Sequence, residues 1–544
     1  MEMTGAEILI EGLRREGVEH IFGYAGATIC AAVDVLRQHP EIGYTLVRTE
    51  QNAGHMASGY ARISGKTGVC LVTSGPGATN LITGVATAYM DSIPMVAITG
   101  QVPSNLLGRD IFQEVDITGA VSPFTKHNYL VKDAADLPRV IKEAFYIAST
   151  GRPGPVLIDI PSDIQEQRVA DVAFPDSVNI RGYKPSVRGN DLQIRRVADT
   201  IARAKQPLIC AGGGVWLAGA RDELAALAER LQIPVVKTMM GLSVLPTDHP
   251  LNMGMIGAHG NRCANKALAK SDLLIMVGTR AADRAIIEPK EIQRRMATIH
   301  IDVDPAEIGK NMEAAVPLVG DVKAILNQLL ALDIQAPDAA QWRQFLKSFR
   351  QAELTRVFPR REGSVFPGTL LRQLGRKLND DAVVCVDVGQ NQLFTCKYLP
   401  QKHGRLLTSG GLGTMGYSLP AAVGVKVADP ARQTIVVCGD GSFQMAMNEL
   451  SAVVCGGMDI KIVLFRNHTL GLVHQIQSSA PYHGPFGVAL DGSPDFETIA
   501  RAYGVKSITL SDEDKAEAAL DEFLGCPGCC ILICEVDPAV STND

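Results

Sequence analysis

Thr434-Ile435-Val436-Val437-Cys438-Gly439-Asp440-Gly441-Ser442 is an apolar, β-branched run that breaks into glycines around one carboxylate. A second apolar run, Lys461-Ile462-Val463-Leu464-Phe465, ends one strand-helix-strand unit later in Arg466-Asn467. Short runs of this kind, bounded by glycine and separated by helical periodicity, read as neighbouring parallel strands. In an open parallel sheet, ligands gather outside the carboxyl ends of the strands, where loops and helix N-termini converge. The two motifs therefore deliver the Asp440 carboxylate and the Asn467 amide oxygen to one edge, and hard oxygens suit Mg²⁺. Gly439 and Gly441 let the backbone approach a phosphate, and the helix opening near Phe443 offers free N–H groups to an anion. A tight strand-to-helix turn followed by a surface Asn has the same appearance, so the rest of the chain must decide.

The same alternation runs outward through all 544 residues. Strands are expected at Tyr44 to Arg48, Gly68 to Thr73, Met95 to Thr99 and Pro155 to Ile160, then at Pro207 to Ala211, Asp272 to Val277 and Thr298 to Val303. A third group is expected at Ala382 to Asp387, Thr434 to Cys438, Lys461 to Phe465 and Cys530 to Glu535. With domains of about 100–200 residues, this length accommodates three. The expected fold is α/β, with three doubly wound parallel-sheet domains at 1–165, 190–340 and 366–544. Ile164 to Asn190, with Pro175, Gly182 and Pro185, reads as one linker, and the polar stretch Gln341 to Leu354 running on to Gly363 as the second. Thr4-Gly5-Ala6-Glu7 is a capping box that opens the first helix.

Composition removes several classes of function. A net charge of −6 offers no basic face for nucleic acid. The apolar runs are far shorter than the roughly 18 residues of a membrane span, and the N-terminus lacks the basic-then-apolar order of a signal peptide, so a cytoplasmic protein is expected. The 12 cysteines lie mostly inside apolar strands and read as reduced, buried thiols. Cys526-Pro527-Gly528-Cys529 has no second pair to complete a metal site and reads as a turn.

Glu50 lies at another strand-to-helix junction, after Tyr44 to Arg48 and before the helical Asn52 to Ile63. Alone, it reads as a carboxylate stabilising a helix N-terminus. It is not alone: Arg48-Thr49-Glu50-Gln51-Asn52-Ala53, Ser74-Gly75-Pro76-Gly77-Ala78-Thr79-Asn80, Gly410-Gly411-Leu412-Gly413-Thr414-Met415-Gly416 and the Gly-Asp-Gly…Asn pattern occur in an order that resembles the thiamine-diphosphate enzymes. The resemblance implies a pyrimidine-binding first domain, a central Rossmann-like domain and a diphosphate-binding third domain. It also implies Mg²⁺ held by Asp440, Asn467 and the Thr469 carbonyl, Glu50 activating the aminopyrimidine, and Met415 wedging the cofactor into a bent shape. Further cofactor contacts are implied at Gly26, Pro76 and Asn80. On the diphosphate side they are implied at Gly389, Gln390, Gly411 and Gly413, then at Gly439, Gly441, Ser442, Gly471 and Leu472. Because the two halves of the family's site come from different subunits, at least a homodimer is implied, as a dimer or tetramer.

Thr83 to Val96 (TGVATAYMDSIPMV), Gly100-Gln101-Val102-Pro103, Phe112-Gln113-Glu114 and Thr125-Lys126-His127-Asn128 narrow the resemblance to the acetolactate synthase catalytic subunits. That implies decarboxylation of pyruvate and transfer of the two-carbon unit to a second 2-oxo acid. Gln113 would orient substrate, Phe112 would line the pocket and Lys126 would stand near its entrance. A small regulatory subunit is compatible with the resemblance.

The middle block is similar too, through Met253 to Gly260, Gly278 to Arg284 and Ile301 to Pro305. This implies a structural FAD held by Arg152, Gly213, Gly214, Thr238, Met240 and His259, and by Gly260, Gly278, Arg280, Asp302 and Asp321. Departures fall at Arg466, at Ala281 and at the positions expected to select substrate. Ile476 stands where the biosynthetic enzymes carry a Trp that favours 2-oxobutyrate, Ile111 replaces Ala, and Asn391 replaces His. The other reading is a sibling of the family, a 2-oxo acid decarboxylase, dione hydrolase or acetyltransferase, with a different substrate.

Overall fold

The computed structural model describes residues 2–358 and 360–542. Three six-stranded sheets, all parallel, are covered by helices. Their central strands are buried along their whole length, as Gly68–Val72, Met95–Gln101 and Pro155–Pro161 show, and burial on both faces explains continuous apolar runs in place of alternation.

In the first sheet the order is Gly43–Leu46, His20–Tyr24, Gly68–Val72, Met95–Gln101, Pro155–Pro161, His127–Leu130. The second runs Asn252–Met255, Val235–Lys237, Pro207–Ala211, Leu273–Val277, Ala297–Asp302, Val316–Val319. The third runs Arg405–Leu407, Val383–Val386, Thr434–Gly439, Ile460–Arg466, Cys530–Glu535, Lys506–Leu510. Each order reverses beside the first strand of its sheet, and that reversal opens a crevice at the carboxyl edge; the first and third orders reverse again at the far edge. In the first sheet the crevice separates His20–Tyr24 from Gly68–Val72, in the second Pro207–Ala211 from Leu273–Val277, and in the third Val383–Val386 from Thr434–Gly439. All the long apolar runs expected as strands are strands. The others, such as His127–Leu130, Arg405–Leu407 and the three-residue Val235–Lys237, are short or lie at sheet edges, where half-exposed backbone tolerates polar residues.

The first and third domains share one apolar core, in which Phe22, Met56 and Val85 join Leu419, Val436 and Leu464. Helix Glu50–Ser64 lies along helix Ser418–Ala428 at backbone contact: a Cβ on Gly59 would stand 2.0 Å from the Ala421 carbonyl oxygen, and one on Gly424 would stand 1.9 Å from that of Met56. Helix Ala340–Leu354, expected as linker, instead packs into the middle domain: Trp342 and Leu346 are buried there, and the Trp342 Nε1–H donates to the Pro207 carbonyl at 3.1 Å.

At the N-terminus the capping box is present, with the Glu7 N–H donating to Thr4 Oγ1 at 3.2 Å and the Thr4 N–H to Glu7 Oε2 at 2.6 Å. The carbonyls of Cys526 and Gly528 each receive the buried Lys461 ammonium at 2.6 Å, and all 12 cysteines are free. Among the described residues, no helix is long and apolar enough to cross a membrane.

Candidate active site

Gly439 pairs with Phe465, so Asp440 and Asn467 leave the third sheet at nearly the same level. Asp440 opens helix Asp440–Gln444 and is 2% exposed. Its Oδ2 accepts the His468 N–H at 2.7 Å and its Oδ1 the Gly441 N–H at 3.0 Å. The fold-back at His468 uses a left-handed backbone, φ 56°. Asn467 Oδ1 accepts the Thr469 N–H at 3.2 Å, and its Nδ2 donates to Gln390 Oε1 at 3.4 Å. Gly471 makes that meeting feasible, since a Cβ there would stand 2.1 Å from Gln390 Oε1. Leu472 follows Gly471 in helix Gly471–Gln477, and Ser442 is held by its hydroxyl on the Gly439 carbonyl at 3.1 Å.

The Met415 methyl lies 3.6 Å from where a Gly441 Cβ would sit, which brings the loop from Gly411 through Gly413 to the same edge. Gly389 and Gly413 take φ of 135° and 76°. Burial pushes the Asp440 carboxyl above its ordinary range. Among the described residues, no basic side chain forms an ion pair with it. A buried carboxylate without a counter-charge is costly, and an oxygen-coordinated cation is the partner that this donor set fits.

Two residues beyond the expected set organise this edge. Asp387, buried at the end of Val383–Val386, accepts N–H groups from Val388 at 3.0 Å, Gly416 at 2.9 Å and Ser418 at 2.9 Å, and the Ser418 hydroxyl at 2.6 Å. It thereby fixes the loop that carries Met415. Gln475 accepts from Gln390 Nε2 at 3.1 Å and from the Thr542 N–H at 3.0 Å. A polar residue at the end of an apolar strand was the available signal for Asp387; nothing local marks Gln475. Asn391 departs from its expected role near substrate, because its amide is tied to the Asp387 carbonyl at 2.6 Å.

At the first sheet, Glu50 is the first residue of helix Glu50–Ser64 and is buried. Asn80 Nδ2 donates to its Oε2 at 3.0 Å, and a Cβ on Gly77 would stand 3.3 Å from its Oε1. Pro76 starts the helix that carries Asn80. Gly26, across the reversal, packs so closely on Thr73 that a Cβ would lie 2.5 Å from it. Gln113 holds φ 59° with its backbone against Gly75, while Phe112 is 86% exposed, so neither lines a closed pocket within one chain.

Lys126 stands apart from this edge. It precedes the amino end of its strand, and its ammonium donates to the carbonyls of Ile147 and Thr150 (2.7 Å to Thr150) and to the Tyr183 hydroxyl at 3.0 Å, away from the Glu50 edge. Burial lowers it to about 8.

The Gln113 loop rests on a buried acid. Gln101 Nε2 donates to the Val115 carbonyl at 2.8 Å and to Asp159 Oδ2 at 3.0 Å, and the Thr99 hydroxyl donates to Asp159 Oδ1 at 2.7 Å. Burial pushes the Asp159 carboxyl from 3.8 up to about 7, against the opposing hydrogen bonds of Thr99 and Gln101, with Asp116 adding repulsion. The folded protein thus favours the neutral acid, and its ionisation costs stability increasingly from the ordinary carboxylate value up to about pH 7. Asp159→Asn, which stays neutral, is expected to melt higher than the parent at pH 8, with the gap closing as pH falls toward 4. Thermal melts across that range check this.

In the middle sheet, the loops after Pro207–Ala211 and Leu273–Val277 touch at glycines: a Gly214 Cβ would stand 2.7 Å from the Gly278 Cα. Met240 packs on Gly213, the Thr238 N–H donates to the Ala211 carbonyl at 3.0 Å, and Gly260 abuts the Met255 carbonyl. Among the described residues, buried ring nitrogens of His259 and His300 lack partners, and burial pushes Asp302 up to about 6. Unpartnered ring nitrogens, a glycine cradle and a strand-end acid fit a dinucleotide.

The two arginines are otherwise engaged. Arg280 donates to the Met90 carbonyl at 2.9 Å, and Arg152 to Glu307 at 2.9 Å and Asp304 at 3.4 Å. Asp321 caps helix Val322–Leu330, its Oδ1 accepting the Ala324 N–H at 2.9 Å.

The sequence matches three family models: the N-terminal TPP binding domain of thiamine pyrophosphate enzymes at residues 3–120, the central domain at 194–329 and the C-terminal TPP binding domain at 387–534. It is 41% identical to the acetolactate synthase large subunit of Lactococcus lactis, covering 94% of this chain and 88% of that one. It is 43% identical to the acetolactate synthase of Arthrospira platensis over 97% and 93% of the two chains. A probable acetolactate synthase large subunit of Methanococcus aeolicus is 41% identical over 99% and 92%.

Proposed function

The chain belongs to the thiamine pyrophosphate enzymes, and from that premise we infer how its residues divide the work of an acetolactate synthase-like carboligase, a thiamine-diphosphate-dependent transferase. The observation that carries the reading is the pair of carboxyl sheet edges, one presenting Asp440 and Asn467, the other Glu50 pinned by Asn80. Thiamine diphosphate, once bound, would supply the carbon nucleophile and the electron sink that decarboxylation of pyruvate and transfer of its two-carbon unit to a second 2-oxo acid require.

The chain's own residues do the rest. Asp440, the Asn467 amide oxygen and the Thr469 carbonyl would hold Mg²⁺, while the backbone N–H of Ser442, in the first turn of helix Asp440–Gln444, would face the diphosphate. Glu50, with Oε2 occupied by Asn80, keeps Oε1 for a proton shared with the pyrimidine ring. Met415 and Leu472 supply apolar walls, and Gln113 reaches toward the substrate oxygens. An apolar, water-poor site favours loss of CO₂, since charge is dispersed on the way.

FAD occupies the middle crevice as a structural group, and the three domains span 1–165, 190–340 and 366–544. A second copy covers the exposed Phe112, Met445 and Ile476 and completes the site, as dimer or tetramer, and the relatives' name of large subunit points to a small regulatory partner. The setting is the cytoplasm.

A sibling reaction is favoured by one observation: the position expected to select the acceptor carries Ile476 in place of an aromatic ring. Purified protein given thiamine diphosphate, Mg²⁺ and pyruvate is expected to release CO₂ and form acetolactate. With 2-oxobutyrate added in equal amount, acetolactate is expected to remain the main product. Release of CO₂ with acetaldehyde, or no turnover, would favour the sibling.

A further inference from the structure

The first and third sheets have the same strand order, and equivalent positions in them carry two buried carboxylates that cross the seam between the domains in opposite directions. Asp91 ends helix Pro76–Asp91, which follows strand Gly68–Val72. It accepts the N–H groups of Gly410 at 3.2 Å and Gly411 at 2.7 Å, in the loop that follows the third sheet's edge strand, and pairs with the buried Arg62 at 2.8 Å. Glu449 follows strand Thr434–Gly439 and the short helix after it. Its Oε1 accepts the N–H groups of Arg48 at 2.8 Å and Thr49 at 3.3 Å, in the loop that follows the first sheet's edge strand, and the Asn52 Nδ2 at 2.8 Å. Asp91 holds the approach to Met415, and Glu449 holds the approach to Glu50.

Thr49, at the N-cap position of the Glu50 helix, makes no side-chain cap of its own. The turn into that helix is therefore anchored from the diphosphate domain. Glu449 is 0% exposed and its Oε2 has no partner, so burial raises its carboxyl above the ordinary range. A carboxyl this costly to bury, with one oxygen serving three donors and the other none, is placed for reach rather than for its charge.

We propose that Glu449 is a positioning residue that sets the orientation of Glu50 through the backbone of Arg48 and Thr49. The inference rests on the reading of Glu50 as the group that activates the cofactor. It requires only that one acceptor oxygen reach across the seam. Glu449→Gln keeps that reach without the charge, whereas Glu449→Asp keeps the charge and withdraws the oxygen by one methylene.

Two measurements on the full chain decide it. The first is backbone hydrogen exchange of residues 48–52. The second is exchange of the thiazolium C2 proton in the holoenzyme without substrate. Because losing a helix-terminal anchor is worth about tenfold in local opening, Glu449→Asp is expected to exchange its backbone about tenfold faster at 48–52. Its C2 proton should exchange about tenfold slower, with thiamine diphosphate affinity within about threefold of the parent. Glu449→Gln should stay within about threefold on all three readouts.

A Gln variant as impaired as the Asp variant would overturn the proposal in favour of a role for the charge. An Asp variant like the parent would overturn it outright. Loss of C2 exchange only in step with lost cofactor affinity would also overturn it, because the residue would then be purely structural. Failure of the underlying reading has a separate signature: Glu50→Gln would leave C2 exchange unchanged, while the backbone exchange at 48–52 would still report on Glu449.

Discussion

Glu50→Gln is expected to lower turnover of pyruvate by about 10²- to 10⁴-fold, the range that a positioned proton-handling group contributes. The two side chains are nearly isosteric, so Asn80 still finds an acceptor at position 50 and the helix that begins there is unchanged. What is lost is the ability to share a proton with the pyrimidine ring. Thiamine diphosphate affinity should therefore stay within a few fold, because the diphosphate is held elsewhere, around Asp440. Steady-state kinetics beside a direct cofactor titration separates the two quantities. A variant of near-normal turnover would remove Glu50 from the chemistry, and one that lost turnover and affinity together would make it a structural residue.

The second large effect is expected at Asp440. Asp440→Ala removes the one carboxylate at the oxygen cluster and also the acceptor that holds His468 and Gly441. Even outer partners of metal ligands are worth about 10–100-fold in metal affinity, so loss of the carboxylate itself is expected to raise the Mg²⁺ and thiamine diphosphate needed for half-saturation by at least about 100-fold. At saturating cofactor, part of the turnover should return, which Glu50→Gln would not show. A chelator applied to the parent protein should reproduce the Asp440→Ala behaviour and be reversed by added Mg²⁺.

The strands that build the three sheets were legible because a strand buried on both faces must be apolar throughout, as Thr434–Gly439 and Ile460–Arg466 are. The placing of Asp440, Asn467 and Glu50 at strand ends followed from the same pattern. Edge strands such as Lys506–Leu510 were hidden because one side of their backbone is free, and polar side chains are tolerated there. The helix at Ala340–Leu354 looked like linker since its surface is largely polar, and only Trp342 and Leu346 are buried.

The residues that the sequence concealed act at a distance. Asp387 reaches some thirty residues along the chain to Ser418, and Glu449 spans two domains to reach Arg48. Such partnerships follow from the packing of Glu50–Ser64 on Ser418–Ala428, which no local pattern encodes. Lys126 is another such case: expected near a pocket entrance, it has its ammonium taken up within one chain by the carbonyls of Ile147 and Thr150, which lie more than twenty residues away.

In a site shared between subunits, Glu50 of one copy serves the cofactor seated on Asp440 and Asn467 of another. Co-expression of Glu50→Gln and Asp440→Ala chains in equal amounts tests this most directly. If the site is shared, half the dimers are mixed and each mixed dimer keeps one intact site, so activity is expected to recover to about a quarter of the parent value. If the mixture stays as inactive as either variant alone, each site is built within a single chain and the account is wrong.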